Sequence, residues 1–209
     1  MKQIYTYVSV MLVAILSWLL PINLVIGSSG QSMLTWSSIC APVLAFHAGM
    51  STFLWFCLSW KLLTVPLAVS FLLQKLPLLC SVLAFRKSSI YTSLLLPAVC
   101  IMLFILHPVG QVAWLYSLYW FIPMLLYFVP EDADWKRAVI ASFASHAVGS
   151  VMYLYTTYMS AAVWIALIPV VAVERLLISV GIVVVHQVVS RLLKQDLSCI
   201  GLKFRYKEH

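Results

Sequence analysis

The side chains of this sequence that are best suited to chemistry lie inside apolar runs, where polar groups are rare. Between residues 138 and 157 they recur at helical spacing, as Ser142, His146, Ser150, Tyr153 and Thr157. Residues three or four apart share one face of an α-helix, so the spacing predicts a polar stripe along a single helix. Because polar side chains are unfavourable against lipid, the stripe is predicted to face the interior of the protein. There it can hydrogen-bond a neighbouring helix or form the wall of a ligand cavity, and the sequence leaves both interpretations open.

A carboxylate and a guanidinium, Glu174 and Arg175, stand in the middle of the last apolar run. Neighbouring residues on a helix point about 100° apart, so the sequence predicts that these two do not pair with each other. Each then needs a partner elsewhere, either an ion pair with another helix or a substrate or proton contact. Charges inside a membrane are rare and mark functional sites, which favours the second role.

Motifs for the common catalytic centres are absent from the sequence. It has no glycine-rich phosphate loop, no His-Glu-x-x-His pair and no Gly-x-Ser-x-Gly elbow. Its five cysteines include no Cys-x-x-Cys pair, which argues against disulfides and zinc. We therefore expect a protein that is not an enzyme and has no cofactor. One redox alternative is left, because His47 and His146 could be the two axial ligands of a haem.

The composition indicates which elements must hold these side chains. Of the 209 residues, 64% are hydrophobic and 9% are charged, whereas soluble domains carry roughly 25% charged residues. Apolar runs long enough to cross a bilayer follow one another along the chain. The sequence therefore predicts an all-α, polytopic helical bundle in the cell membrane, formed by a single transmembrane domain, residues 1–209.

The apolar runs predict about six transmembrane helices. The stretch from Leu62 to Ala84 is ambiguous, because Pro66, Pro77, Gln74 and Lys75 favour a broken, tilted or re-entrant segment over a clean crossing. The other runs are predicted crossings, at residues 5–27, 38–59, 89–106, 112–129, 138–157 and 161–193.

The distribution of basic residues favours this count. Cytoplasmic loops are enriched in Lys and Arg, and with these crossings every basic residue except Arg175 falls on one side. Both termini are then cytoplasmic. The net charge of +7 is explained by this topology and by contact with anionic lipid head groups, so no nucleic-acid partner is expected.

Small residues recur every four positions in two of the predicted crossings, as Ala41, Ala45 and Gly49 and as Ala141, Ser145 and Gly149. Such ridges let helix backbones approach closely. The neighbour can be another helix of this chain or a helix of a partner protein.

With Ala41-Pro42-Val43-Leu44-Ala45 and His146-Ala147-Val148-Gly149-Ser150, the chain resembles the substrate-binding (S) component of energy-coupling factor transporters. These are small six-helix membrane proteins that bind vitamins or related nutrients beneath their outer loops. In that family an Ala-x-x-x-Ala pattern contacts a transmembrane coupling subunit that works with ATPases. The resemblance implies this docking role for Ala41 and Ala45, and it implies a vitamin-like ligand among Trp36, His107, Gln111, Trp114, His146, Tyr153, Trp164 and Glu174.

The leading hypothesis is thus a substrate-binding subunit of a small-molecule uptake transporter, which takes its ligand from the outer face. One alternative is a haem-binding or quinone-facing membrane anchor of a redox complex. Another is a non-catalytic membrane scaffold protein. The sequence names neither the ligand nor the partner.

Overall fold

The computed structural model describes residues 24–25, 33–34, 36–50, 69–130 and 133–199, and the side chains of 38–47, 49–50, 75–130 and 133–192. Leu24–Val25 (β1) and Met33–Leu34 (β2) form a short antiparallel pair, with Leu24 opposite Leu34. Apart from β1, the predicted crossing at residues 5–27 lies outside the described residues.

Among the described residues, every other regular element is helical, as predicted. The α-helices of the described part are α1 (Trp36–Ala48), α2 (Val69–Arg86), α3 (Leu96–Leu106), α4 (Pro108–Val112), α5 (Phe121–Tyr127), α6 (Asp134–Thr156) and α7 (Ala161–Cys199). A π-helical turn, Tyr91–Leu95, precedes α3. A 3-10 helix, Trp114–Trp120, precedes α5.

Two of these helices, α6 and α7, are long and apolar enough to cross a membrane, judged by length and composition. Both correspond to predicted crossings. The segments Ser38–His47 and Tyr91–Leu106 are apolar but shorter. Within the described residues, the structure therefore supports two such helices and not the predicted count of about six.

Two predicted crossings are interrupted. The prediction of one helix over residues 38–59 is wrong at Gly49, whose φ of 89° ends α1 in a left-handed conformation that favours glycine; residues 51–59 lie outside the described residues. The prediction over 112–129 is also wrong, because the chain forms the 3-10 helix and then α5. Pro123 lacks the N–H that a continuous α-helix would need there.

The ambiguous stretch is one continuous α-helix from Val69 to Arg86, with Pro77 inside it. Val82, Ala84 and Phe85 of this helix are fully buried. The part of the stretch that the structure describes is therefore a core helix and not a break, while residues 62–68 lie outside the described residues.

Helix α6 lies antiparallel to α2 and packs closely against it. Gly149 faces Pro77, and a Cβ added at Gly149 would lie 3.7 Å from the Pro77 Cγ. Nearer the start of α6, the Arg137 guanidinium lies 5.8 Å from the ring centre of Phe85. The close approach predicted for the ridge of Ala141, Ser145 and Gly149 is therefore observed within this chain at Gly149, and Ala141 packs in one core cluster with Ala84 and Phe85 of α2.

The bundle has two chemically different ends. At one end, which we call the basic end, Arg86, Lys87, Lys136 and Arg137 line a common hollow with Ser88 and Tyr127. At the opposite end, the His107 ring packs edge-on against Tyr155 near the end of α6. Helices α6 and α7 join these ends in opposite directions, and their connection at residues 157–160 lies opposite the basic end.

Candidate functional site

A cavity of about 340 Å³ lies between the halves of α6 and α7 that adjoin their connection. Its size falls within the roughly 300–1,000 Å³ that small-molecule sites occupy. The cavity extends to the α6–α7 connection, because Met159 of that connection lines it. Tyr153 lines it as well and is 58% exposed, so this side of the cavity is near the protein surface. Besides these two, the lining residues are Ser38, Pro77, Tyr116, Ser145, His146, Gly149, Ser150, Trp164, Leu167, Val171, Glu174 and Arg175.

Glu174 and Arg175 form an ion pair with each other at the inner part of this cavity. Arg175 Nη2 lies 2.7 Å from Glu174 Oε1, and both residues are buried. The prediction that these neighbours could not pair is wrong. The helical angle fixes only where each side chain leaves the backbone, and the long arginine side chain folds back across that angle.

The arginine also ties α7 to α6. Its Nη1 donates a hydrogen bond to the Ser142 carbonyl, and the Ser142 hydroxyl donates to the Arg175 carbonyl, both at 3.3 Å. Ser142 is thus a structural contact between helices. The ion pair is thereby held at a fixed position beside the cavity.

Three side chains of the cavity wall form a hydrogen-bonded chain. The Tyr116 hydroxyl lies 3.2 Å from Ser150 Oγ, which lies 3.5 Å from His146 Nδ1. All three residues are buried. The predicted inward orientation of the polar stripe is confirmed for Ser142, His146 and Ser150, whereas Tyr153 and Thr157, nearer its far end, are exposed.

Three buried nitrogen atoms on cavity-lining residues have no hydrogen-bond partner within the described part of the chain. They are His146 Nε2, Trp164 Nε1 and Arg175 Nε. Buried polar atoms without partners cost free energy, and each one calls for an explanation such as a water, an ion or a ligand. Trp120 Nε1 is in the same state, but Trp120 does not line the cavity.

Aromatic rings surround this part of the cavity wall. Tyr116 and Trp164 meet edge to face with ring centres 4.9 Å apart, and Phe104 contacts both Trp120 and Trp164. The His146 ring lies 5.4 Å from that of Tyr116. Close packing of these rings against one another holds their positions in the wall.

The structure brings four of the predicted ligand-binding residues together at the cavity: His146, Tyr153, Trp164 and Glu174. The other predicted ligand contacts do not line it. The His107 side chain accepts a hydrogen bond from the Val109 N–H and so caps α4, Gln111 is exposed, and Trp114 is half exposed. Trp36 begins α1, and its side chain lies outside the described residues.

Sequence reasoning missed Arg175 and Tyr116 as cavity residues. Arg175 was recognised as a buried charge, but the periodicity gave no reason to place it beside the stripe. Tyr116 lies on the 3-10 helix, where the four-residue spacing that marks an α-helical face does not hold. Ser38 and Pro77 come from other helices, and no local pattern assigns them to the site.

Ala41 and Ala45 pack inside the chain. They are 5% and 0% exposed and form a small cluster with Val82 of α2. A partner helix could contact this ridge only if α2 moved away. The docking role that the resemblance implies for these two alanines therefore stays a prediction, whereas their role in internal packing is observed.

A second polar cluster joins three helices at the basic end. His47 Nε2 lies 3.1 Å from His186 Nδ1, and His186 Nε2 lies 3.6 Å from Asp134 Oδ1. His146 is twelve residues beyond Asp134 on the same helix, which is about 18 Å along its axis. A haem iron binds both axial nitrogens directly, so one haem could not use His47 and His146 in this arrangement.

Within the described residues, no three His, Cys, Asp or Glu side chains are grouped closely enough to hold a metal ion. Three cysteines have described side chains, Cys40, Cys80 and Cys100, and all three are free thiols. Compared with family models, with curated proteins and with solved structures, the chain gives no match in any of the three.

Proposed function

We propose that this chain is a multi-pass membrane protein that binds a small molecule in the cavity between α6 and α7. The membrane assignment is supported by the side of α7 that points away from the bundle. Large apolar side chains recur there at helical spacing and are half exposed or more: Val173, Leu176, Val180, Val184, Val188 and Leu192. A continuous apolar face of this length is unfavourable in water and suits lipid.

The basic end supports an orientation of the protein in the membrane. Arg86, Lys87, Lys136 and Arg137 come from separate parts of the sequence and meet at one end of the bundle. Basic residues favour the cytoplasmic side. We therefore assign the basic end to the cytoplasm and the α6–α7 connection to the outer face, with about six crossings and both termini inside.

The observation that carries the binding function is the convergence of His146, Tyr153, Trp164 and Glu174 on one cavity, beside a buried ion pair. Buried charges are costly inside a membrane and are kept where they serve a site. The cavity lies towards the proposed outer face. A ligand taken from outside and held there is what a substrate-binding subunit of a nutrient uptake transporter requires.

Energy for uptake would have to come from partners, since the sequence carries no nucleotide-binding motif. In the proposed assembly, a transmembrane coupling subunit with ATPases supplies it. Because α2 covers Ala41 and Ala45, the coupling subunit would either displace α2 or dock on another face.

Native mass spectrometry of the protein after gentle extraction from its source membrane tests the proposed function. We expect a small molecule to be retained by the wild-type protein and lost from His146→Ala. His107→Ala is the matched control, because it removes the same side chain from outside the cavity and should keep the ligand. Absence of any retained molecule, or equal loss in both variants, would contradict the proposed binding site.

A further inference from the structure

We propose that the cavity selects an uncharged molecule with an apolar body and a hydrogen-bond acceptor, such as a carbonyl oxygen or a ring nitrogen. This inference rests on the proposed function and specifies the ligand class of the same cavity. It is drawn from the hydrogen-bonding state and the charge of the residues that form the wall.

Two residues of the described cavity wall carry hydrogen-bond donors without acceptors. Trp164 Nε1 and Arg175 Nε each carry a hydrogen and can only donate, and both lack a partner among the described residues. Trp164 is 2% exposed and Arg175 is 8% exposed, so bulk water does not satisfy them. A ligand acceptor that reached either nitrogen would satisfy a buried group that is unfavourable without a partner.

His146 can act as a third donor. If Tyr116 donates to Ser150 and Ser150 donates to His146 Nδ1, the hydrogen of the neutral imidazole is on Nε2. Nε2 is the atom of His146 that lacks a partner. This orientation of the hydrogen-bonded chain satisfies the other described atoms in it and leaves the Nε2 N–H of His146 without an acceptor.

The charged groups of the described cavity wall balance each other. Among the described lining residues, the only carboxylate and the only guanidinium are Glu174 and Arg175, and they neutralise each other. A ligand carboxylate would bring an uncompensated negative charge into a buried site, and an ammonium group would bring a positive one. Either costs free energy in a low-dielectric interior, which favours a neutral ligand.

The rest of the wall suits an apolar body. Pro77, Leu167 and Val171 line the cavity together with the Tyr116 and Trp164 rings. Binding sites of this size are lined mainly by apolar groups, with few polar groups that fix the orientation of the ligand. In this cavity the donors provide that orientation, and the apolar wall provides the remaining contact area.

Calorimetric titration of the purified wild-type protein tests the inference with four probes of one shape. They are naphthalene, 2-naphthamide, 2-naphthoate and 2-naphthylmethylammonium, each corrected for partitioning into protein-free micelles. We expect the neutral amide to bind about tenfold more tightly than each of the others, since each lacks the acceptor or carries a charge. Tighter binding of either ion, or equal binding of naphthalene, would overturn the inference while leaving the cavity as a binding site.

Two variants assign the effect to the cavity. Trp164→Phe should reduce the preference for the amide over naphthalene by about three- to tenfold. Trp120→Phe removes a similar partnerless indole N–H from the same cluster, but outside the cavity wall, and should leave the preference unchanged. Equal loss in both variants would overturn the role of Trp164, and failure of all four probes to bind the wild-type protein would contradict the binding site itself.

Discussion

The Glu174–Arg175 pair illustrates the limit of sequence reasoning for a single residue. Periodicity correctly indicates two charges inside an apolar helix, and burial of both is observed. It cannot give the path of a long side chain after its Cβ, which here closes a 2.7 Å contact between sequence neighbours. Which partner a flexible charged group selects is decided by packing around it, in this case by the Ser142 carbonyl on α6.

Removing one member of this pair should be more harmful than removing both. Glu174→Met or Arg175→Met leaves a buried charge without its partner, which typically costs about 3–5 kcal/mol. The double variant removes both charges at similar volume and should be closer to the wild type in stability. Thermal unfolding of the four proteins in one detergent measures this. A double variant as unstable as the sum of the single variants would show that the pair is not coupled.

His146 and His107 show how much of a side chain's position can be predicted from its residue type and its sequence neighbours. His146 was predicted to face the interior because it lies on a polar stripe, and it does. His107 was assigned to the ligand, yet its ring accepts a hydrogen bond from the Val109 N–H. The sequence held a signal for that outcome, since a polar residue directly before a proline is typical of a helix N-terminus.

At the scale of elements, helices were predicted correctly where a long segment stays apolar and keeps the helical period throughout. The α6 and α7 segments are long and regular, and both were predicted with bounds close to those observed. It failed where proline and glycine change the backbone, at Gly49 and Pro123. Hydropathy reports how apolar a segment is, whereas the local backbone conformation decides whether the helix continues. A proline alone does not decide this, because Pro77 and Pro169 lie inside continuous helices.

The glycines of two helices should respond differently to the same substitution. A Cβ at Gly110 would lie 1.8 Å from the Phe104 carbonyl oxygen, a backbone atom that cannot turn aside. Gly110→Ala should therefore lower stability by about 1–3 kcal/mol, which is several degrees in the melting temperature. The comparison is made by thermal unfolding in detergent.

Gly149→Ala is the control for that change. Its new methyl group would meet Pro77 at 3.7 Å, an ordinary contact, and alanine is the better helix former. Its melting temperature should be unchanged or slightly higher. A loss at Gly149 equal to that at Gly110 would mean that α6 and α2 are packed more tightly than described.

At the scale of the whole molecule, the site depends on contacts that no local pattern reveals. The cavity wall combines Ser38 of α1, Pro77 of α2 and Tyr116 of the 3-10 helix with the facing sides of α6 and α7. The sequence indicated the α6 stripe and the charges of α7. It could not indicate that they face each other, because that depends on how the two helices rotate when they pack.

The distribution of basic residues is a global feature that the sequence does indicate, and it leads to a test of the proposed topology. In a chain whose native cysteines are replaced, Tyr158→Cys places a thiol at a fully exposed position in the α6–α7 connection. Ser88→Cys places one in the hollow at the basic end. The two positions should lie on opposite sides of the membrane, because α6 joins one end of the bundle to the other.

A membrane-impermeant maleimide should label Tyr158→Cys in intact cells and Ser88→Cys only after permeabilisation. The physical reason is the preference of Arg86, Lys87, Lys136 and Arg137 for the cytoplasmic side. The reverse pattern would invert the orientation, so the cavity would face the cytoplasm and capture from outside would be excluded. Labelling of both in intact cells would contradict the crossing of α6 itself, because both ends of that helix would then lie on one side.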